Sequence, residues 1–233
     1  MISIIIPAHK EKKNLTNLIG KLLRLQCATE KEVIVALSPE SSNDFNKAYD
    51  GTINFLSCSR KGRAAQMNQA SEVANGDILV FLHADVKPPN TFLQDIEDAI
   101  QGGYDAGFFS YKFDKDSILL RLNASFTGKD GFFTGGGDQC LFIKQSVFAA
   151  LGKFNEEQVL MEDFEFFKRM KKHSVPYTII KNDLVVSARK YESNSYLRVN
   201  LSNLLLVILF NMGYSSKKLK SLHDKLLRTP YNG

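Results

Sequence analysis

The chain of 233 residues has no tryptophan, only three cysteines and only six prolines. Cys27, Cys58 and Cys140 are odd in number and far apart, which gives neither a disulfide framework nor the CxxC pairs of a structural zinc site. A reducing compartment is the expected setting. Long apolar runs are also missing. The longest, residues 204–210, falls far short of the roughly 20 residues that cross a bilayer, so no transmembrane segment is expected. Ile2 opens an apolar run directly, without the basic segment and long apolar stretch of a secretion signal, and this points to a cytoplasmic protein. The formal charge of +5 favours anionic partners in general. No basic patch coincides with a nucleic-acid motif, so nucleic acid is not an expected partner. With 44% hydrophobic and 24% charged residues, disorder is excluded. No repeat, low-complexity tract or linker divides the chain, so residues 1–233 are expected to form a single domain. It would have a ligand-binding half to about residue 100, a second half from about 101 to 192, and helices from about 193.

What the chain does contain is an alternation of short apolar runs and helical patterns. Ile2-Ser3-Ile4-Ile5-Ile6 is nearly continuous, as a strand buried on both faces requires, and Pro7 ends it. Leu15, Leu18, Ile19, Leu22, Leu23 and Leu25 then recur at helical spacing, with Lys12, Lys13, Asn17, Lys21 and Arg24 on the other face. Strands are expected at residues 32–37, 53–56 and 77–82. A loop opening a short helix follows the first of these, and a helix through Ala64, Met67, Ala70 and Val73 precedes the last. The order β-α-β-α-β-α-β predicts an α/β fold with a mainly parallel central sheet and helices on both faces. The run at 77–82 is a central strand ending in His83-Ala84-Asp85. By alternation His83 and Asp85 project together past its carboxyl end, where open sheets bind ligands. Alone, the pair reads equally as a turn.

The second half is less regular. Residues 108–113 alternate loosely, and Leu119-Leu120-Arg121-Leu122 begins a helical piece. Gly135-Gly136-Gly137-Asp138-Gln139 is either a tight turn or a loop against which something packs. A strand at 140–143 and a helix from Gln145 to Leu151 follow. Leu160-Met161-Glu162-Asp163 opens an amphipathic helix, and its acids alone read as a cap. Two strands are expected at 177–180 and 184–187, leading into Ala188-Arg189-Lys190. In the helix of residues 195–212, Leu197, Leu201, Leu204, Leu205 and Ile208 form a stripe, yet little polar face remains. Such a helix belongs in a core or homodimer interface, or against a membrane surface or lipid-linked acceptor, with the basic segment after Ser216 attracting anionic lipid. Peripheral association with a membrane is therefore one expectation.

Five segments combine these polar strand ends into chemistry. They are Gly62-Arg63-Ala64-Ala65-Gln66-Met67-Asn68, His83-Ala84-Asp85, Gly137-Asp138-Gln139, Met161-Glu162-Asp163 and Ser187-Ala188-Arg189-Lys190. In this order and composition the chain resembles a family 2 glycosyltransferase of GT-A fold, closest to a small bacterial subgroup, from about residue 2 to residue 222. Each segment alone is weak, and five in register are strong. The resemblance implies transfer of a sugar from a UDP- or GDP-sugar to an acceptor hydroxyl. Asp163, assisted by Glu162, would be the base, and the anomeric centre would be inverted. Asp85 would hold Mg²⁺ or Mn²⁺. The donor side would comprise Pro7, His9, Glu11, Ser38, Arg63, Asn68, His83, Ala84 and Asp85. Gly137, Asp138, Gln139, Arg189 and Lys190 would meet the sugar, diphosphate or acceptor. The chain departs from the family pattern at Lys10-Glu11, where Asn-Glu is common, and at Leu37-Ser38, where an Asp normally holds the base. Two other functions compete: a sugar nucleotidyltransferase of related fold, and a non-catalytic nucleotide-sugar-binding protein. The missing glycine-rich basic loop after the first strand argues against the former.

Overall fold

A computed structural model describes residues 1–9, 12–25, 29–41, 53–131 and 133–228. The strands are β1 (Ile2–Ala8), β2 (Lys31–Leu37), β3 (Asn54–Ser57), β4 (Ile78–Phe81), β5 (Ala106–Phe113), β6 (Leu141–Lys144) and β7 (Tyr177–Val186). The helices are α1 (Lys12–Arg24), α2 (Arg63–Val73), α3 (Phe92–Gln101), α4 (Ile118–Ser125), α5 (Gln145–Ala150), α6 (Glu162–Lys172), α7 (Arg189–Glu192), α8 (Tyr196–Asn211) and α9 (Ser216–Leu226). The expected short helix after β2, together with Lys10, Glu11 and Cys27, lies outside the described residues.

All seven strands join one sheet in the order β3-β2-β1-β4-β6-β5-β7. β1, β2, β3 and β4 pair in parallel, as do β5 and β7, while β6 is antiparallel to both its neighbours. The α/β, mostly parallel architecture is the one expected.

Alternation along β1 explains why helices cover both faces. Ile2, Ile4 and Ile6 point to one side, against Leu15, Leu18 and Leu22 of α1 and Phe92 and Ile96 of α3. Ile5 points to the other, among Met67, Ala70, Phe148 and Phe166 from α2, α5 and α6. Each fully buried isoleucine stabilises the fold by about 1.5–3 kcal/mol. The strand runs through Pro7 to Ala8 rather than stopping at the proline.

Three other elements differ from expectation. α3 was not anticipated, although Pro88-Pro89 before it and Leu93, Ile96 and Ile100 along it are start and periodicity signals. The two strands expected at 177–180 and 184–187 are one strand, β7, with a register shift against β5. The polar residues that look like a break are turned outward and bonded. Asp183 accepts from Ser110 at 2.6 Å, and Asn182 donates to Thr91 and Asp95 at 2.8 and 2.7 Å. In α8, the leucine stripe faces outward, with Leu197 and Leu201 68% and 63% exposed, while Val199, Leu206 and Val207 are buried. Because α8 is apolar all round, periodicity could not say which face is inside.

Gln66 ties α2 to the sheet edge. Its amide nitrogen donates to the carbonyls of Ala8 and Ala36 at 3.1 and 2.7 Å, linking the last turns of β1 and β2. Gln66→Leu preserves the volume but removes both bonds, so denaturant unfolding should show a loss of about 1–3 kcal/mol.

Candidate active site

β1, β2 and β4 run in parallel and end on one edge at Ala8, Leu37 and Phe81. β6 runs the other way and pairs Leu141 with Phe81, so the glycine segment that precedes it returns to the same edge. Reversal of one strand thus sets residues 137–139 beside His83. Such edges collect ligand-binding groups.

At the β1 and β2 ends, His9 Nδ1 lies 2.7 Å from the Ser38 hydroxyl, which is 2.9 Å from Ser41. Leu37 is buried against the α1 side of the core, so Ser38, and not Leu37, presents its side chain to this edge. Ala84 is also buried in that core. His83 and Asp85 do not project together as strand alternation predicts. β4 ends at Phe81 and the backbone turns, with the Val86 amide donating to the His83 carbonyl at 3.2 Å. His83 faces Asp138 at 3.8 Å, whereas the Asp85 carboxylate accepts from Arg189 at 2.9 Å.

α6 delivers the acidic pair. Phe166 packs on Phe148 and Phe154 with ring centroids 5.2 and 5.0 Å apart, and Phe167 meets Phe108 at 5.1 Å. These rings anchor the helix whose first residues are Glu162 and Asp163. Met161 just before it adopts a left-handed φ of 64°, costly for a side chain with a Cβ, and its burial against Leu206 and Leu219 offsets the strain. Gly137 lets the groups converge. A Cβ there would lie 2.6 Å from Asp163 Oδ2 and closer still to the His83 ring.

Arg63, at the N-terminus of α2, bonds both acids, with Nε on Glu162 and Nη2 on Asp163 at 3.1 Å. The two carboxylates respond differently. Burial, joined by the charge of Glu162, outweighs Arg63 and pushes Asp163 up to about 6. Burial also raises Glu162, but the charge and hydrogen bond of Arg63 prevail and hold it below its ordinary value. Burial lowers the Lys190 ammonium, with Asp138 opposing. Asp138 itself is held low by His83, which overcomes desolvation, although its side chain is 61% exposed and therefore well screened.

A cavity of about 730 Å³ opens over this cluster. Arg63, His83, Gly137, Asp138, Gln139, Asp163 and Lys190 line it, so seven of the residues singled out from sequence meet in one place. His9, Ser38, Asp85 and Arg189 are not in its wall. Two of the expected contacts spend their amides on the protein itself. The Asn68 amide is buried and clasps Phe154, accepting from its N–H at 3.0 Å and donating to its carbonyl at 2.9 Å. The Gln139 amide accepts from Gly135 at 2.9 Å and donates to Thr127 at 3.0 Å, bracing the glycine loop. Pro7 lies within β1, paired with Ala36. Glu11 lies outside the described residues.

The far wall was not anticipated. Tyr111, Asn123, Phe126, Tyr191, Asn200 and His223 come from β5, α4 and the segment beyond it, α7, α8 and α9, and no local pattern connects them. Among the described residues, no group of three or more His, Cys, Asp or Glu could hold a metal ion unaided.

Two substitutions test this geometry. Because Asp163 titrates higher in the folded state than its ordinary value near 3.8, the native state holds its proton more tightly, and its burial weakens the fold as pH rises from about 4 to about 6. Asp163→Asn should therefore raise unfolding stability by on the order of 1–3 kcal/mol above pH 6 and leave it unchanged near pH 4. Gly137→Ala should keep the circular dichroism of the wild type while displacing His83 or Asp163, seen as a shift in the His83 ring resonances.

The family model described as Glycosyl transferase family 2 matches residues 3–161. No curated protein matches the chain by sequence. Among solved structures, S. aureus TarS 1-349 in complex with UDP-GlcNAc is 18% identical, with a TM-score of 0.62 over 98% of this chain and 74% of that one. The longer S. aureus TarS chain gives 15% identity and a TM-score of 0.67, over 97% of this chain and 42% of its own length. A mutant of Drosophila β1,4-galactosyltransferase 7 complexed with manganese, UDP-Gal and xylobiose gives 12% identity and a TM-score of 0.53, over 78% of this chain and 65% of that one. These structural likenesses establish the GT-A fold. The sequence match covers well over half of the residues, and the chain belongs to glycosyl transferase family 2.

Proposed function

We propose that the chain is an inverting glycosyltransferase that moves a sugar from a UDP- or GDP-sugar to an acceptor hydroxyl, with a divalent ion assisting. The observation that carries this reading is Asp163. It is a buried carboxylate raised to about 6, held beside a guanidinium at the wall of a large cavity. A base whose pKa lies just below the working pH is both deprotonated and basic enough to take a hydroxyl proton.

In the step that follows, the acceptor oxygen gives its proton to Asp163 and forms a bond to the anomeric carbon. The bond from that carbon to the diphosphate oxygen breaks, and its electron pair leaves with the diphosphate. One carboxylate suffices for a single displacement, unlike the pair about 5–5.5 Å apart in a retaining hydrolase. Glu162, kept ionised by Arg63, supports Asp163 from behind. Arg63, Arg189 and Lys190 supply positive charge for the leaving group, and Arg63 would exchange its hold on the acids for phosphate. Asp138 and Gly137 border the sugar. His9 and Ser38 stand where the base would lie.

Asp85 is a carboxylate bonded to Arg189, and an ion held by it would take most of its ligands from phosphate and water. When bound, Mg²⁺ or Mn²⁺ would neutralise charge developing on the diphosphate. The neighbours crystallised with UDP-GlcNAc, and with manganese and UDP-Gal, support this donor class and ion.

Calorimetry against UDP, GDP and their sugars with Mn²⁺ tests the reading, and binding to none of them would sink it. With a competent donor, kcat/KM should climb about tenfold per pH unit below about pH 6 and level off above it. Asp163→Asn should lower kcat by about 10²–10⁴-fold while donor affinity stays within about threefold.

A further inference from the structure

The outward face of α8 is not explained by sugar transfer. Leu197, Leu201, Leu204, Leu205 and Ile208 are 68%, 63%, 39%, 40% and 41% exposed, on a helix with hardly any polar face. A second exposed stripe runs along α4, with Ile118, Leu122 and Phe126 at 76%, 53% and 64%. The helices are fastened side by side. Asn123 donates to Asn200 at 2.9 Å, and the Tyr196 hydroxyl donates to Asn123 at 2.7 Å. On the opposite flank of α8, Arg198 donates to the Leu226 carbonyl at 2.6 Å, and Leu206 and Val207 pack with Leu219, so α9 borders the stripe there. An apolar surface of this extent marks an interaction site.

Charge says what covers it. Residues 193–228 contain six Lys and Arg (Arg198, Lys217, Lys218, Lys220, Lys225 and Arg228) against Asp224, a net +5. The whole chain carries +5, so the remainder is neutral. The entire cationic excess thus accompanies this face. Lys217, Lys218, Lys225 and Arg228 are exposed. A second copy docked here in two-fold fashion would bring two such segments together and repel itself. No helix among the described residues is long and apolar enough to cross a membrane. An apolar stripe beside a cationic helix matches the acyl boundary and headgroups of an anionic bilayer.

We infer that the α4–α8 face, flanked by α9, is a docking surface for an anionic phospholipid bilayer. Leu197, Leu201 and Leu205 enter the interface, while Lys217, Lys218 and Lys225 meet lipid phosphates. The catalytic cavity opens next to this surface, since Phe126 of the α4 end and Asn200 and Asn203 of α8 are in its wall. An acceptor anchored in the membrane would reach Asp163 from that side. This last consequence rests on the glycosyl-transfer reading, and the docking itself does not.

Flotation of the full chain with phosphatidylcholine vesicles, with and without phosphatidylglycerol, tests the inference. The protein should float with the anionic vesicles only, and high salt should release it. Leu201→Glu with Leu205→Glu should abolish flotation, and Lys217→Glu with Lys218→Glu should weaken it by at least about fivefold per charge removed. As the chain has no tryptophan, Leu201→Trp introduces a sole indole whose emission should shift to the blue on anionic vesicles. This variant keeps the test open if the glutamate pair fails to fold. Absence of flotation and of the indole shift would overturn the inference. So would a wild-type dimer that the glutamate pair converts to monomer. Nucleotide-sugar binding measured in the same variants should equal that of the wild type. Loss of vesicle binding with donor binding intact separates this surface from the transferase chemistry, and vesicle binding without donor binding would leave the surface standing.

Discussion

A single guanidinium placed against two adjacent acids is the interaction on which the site depends. Arg63 comes from the start of α2, and Glu162 and Asp163 from the start of α6, about a hundred residues later. Two carboxylates this close and this buried would not both ionise without a cation between them. Arg63 settles the matter unequally, with Glu162 held low and Asp163 left high. The protonation of the two carboxylates is thereby separated by environment, although the residues are neighbours on one helix.

The surrounding structure holds these three groups in place. Gln66, one turn along α2 from Arg63, bonds the ends of β1 and β2, so the helix carrying the arginine is keyed to the sheet edge. Asn68 on the same helix clasps Phe154, which belongs to the aromatic cluster beneath α6. The Gln66 and Asn68 contacts therefore fix the distance between the two helix N-termini. Gly137, squeezed against His83 and Asp163, closes the cluster from the β6 side. The left-handed Met161 sets the entry angle of α6, and backbone strain at such a position is tolerated where packing overdetermines it.

The family match ends at residue 161, immediately before the acidic pair. What lies beyond includes α6, β7 and the helices α7 to α9, and these supply Lys190, Asn200 and His223 to the cavity wall. Strands β2 to β6, nearly all of β1 and the edge at which β1, β2 and β4 end fall within the matched residues. The apolar, cationic end that borders the cavity lies outside the residues that the family model matches.

Much of this was legible from residue order. Alternation in Ile2-Ser3-Ile4-Ile5-Ile6, helical spacing after it and the β-α repeat are local properties, and they determined a mostly parallel sheet with helices on both faces. Each of the five short motifs contributes at least one residue to the cavity wall, while Asn68, Asp85 and Arg189 lie outside it. Three things were decided only in three dimensions. The reversal of β6, which brings the glycine loop to His83, depends on strand pairing that no local pattern encodes. The division of His83 and Asp85 between different partners follows from a turn, where strand alternation no longer applies. The outward face of α8 follows from which side its neighbours cover, because a helix apolar all round carries no periodic signal of its own. Sequence specified the groups and their order, and tertiary packing specified their distances and surroundings, which are what set the protonation of Asp163.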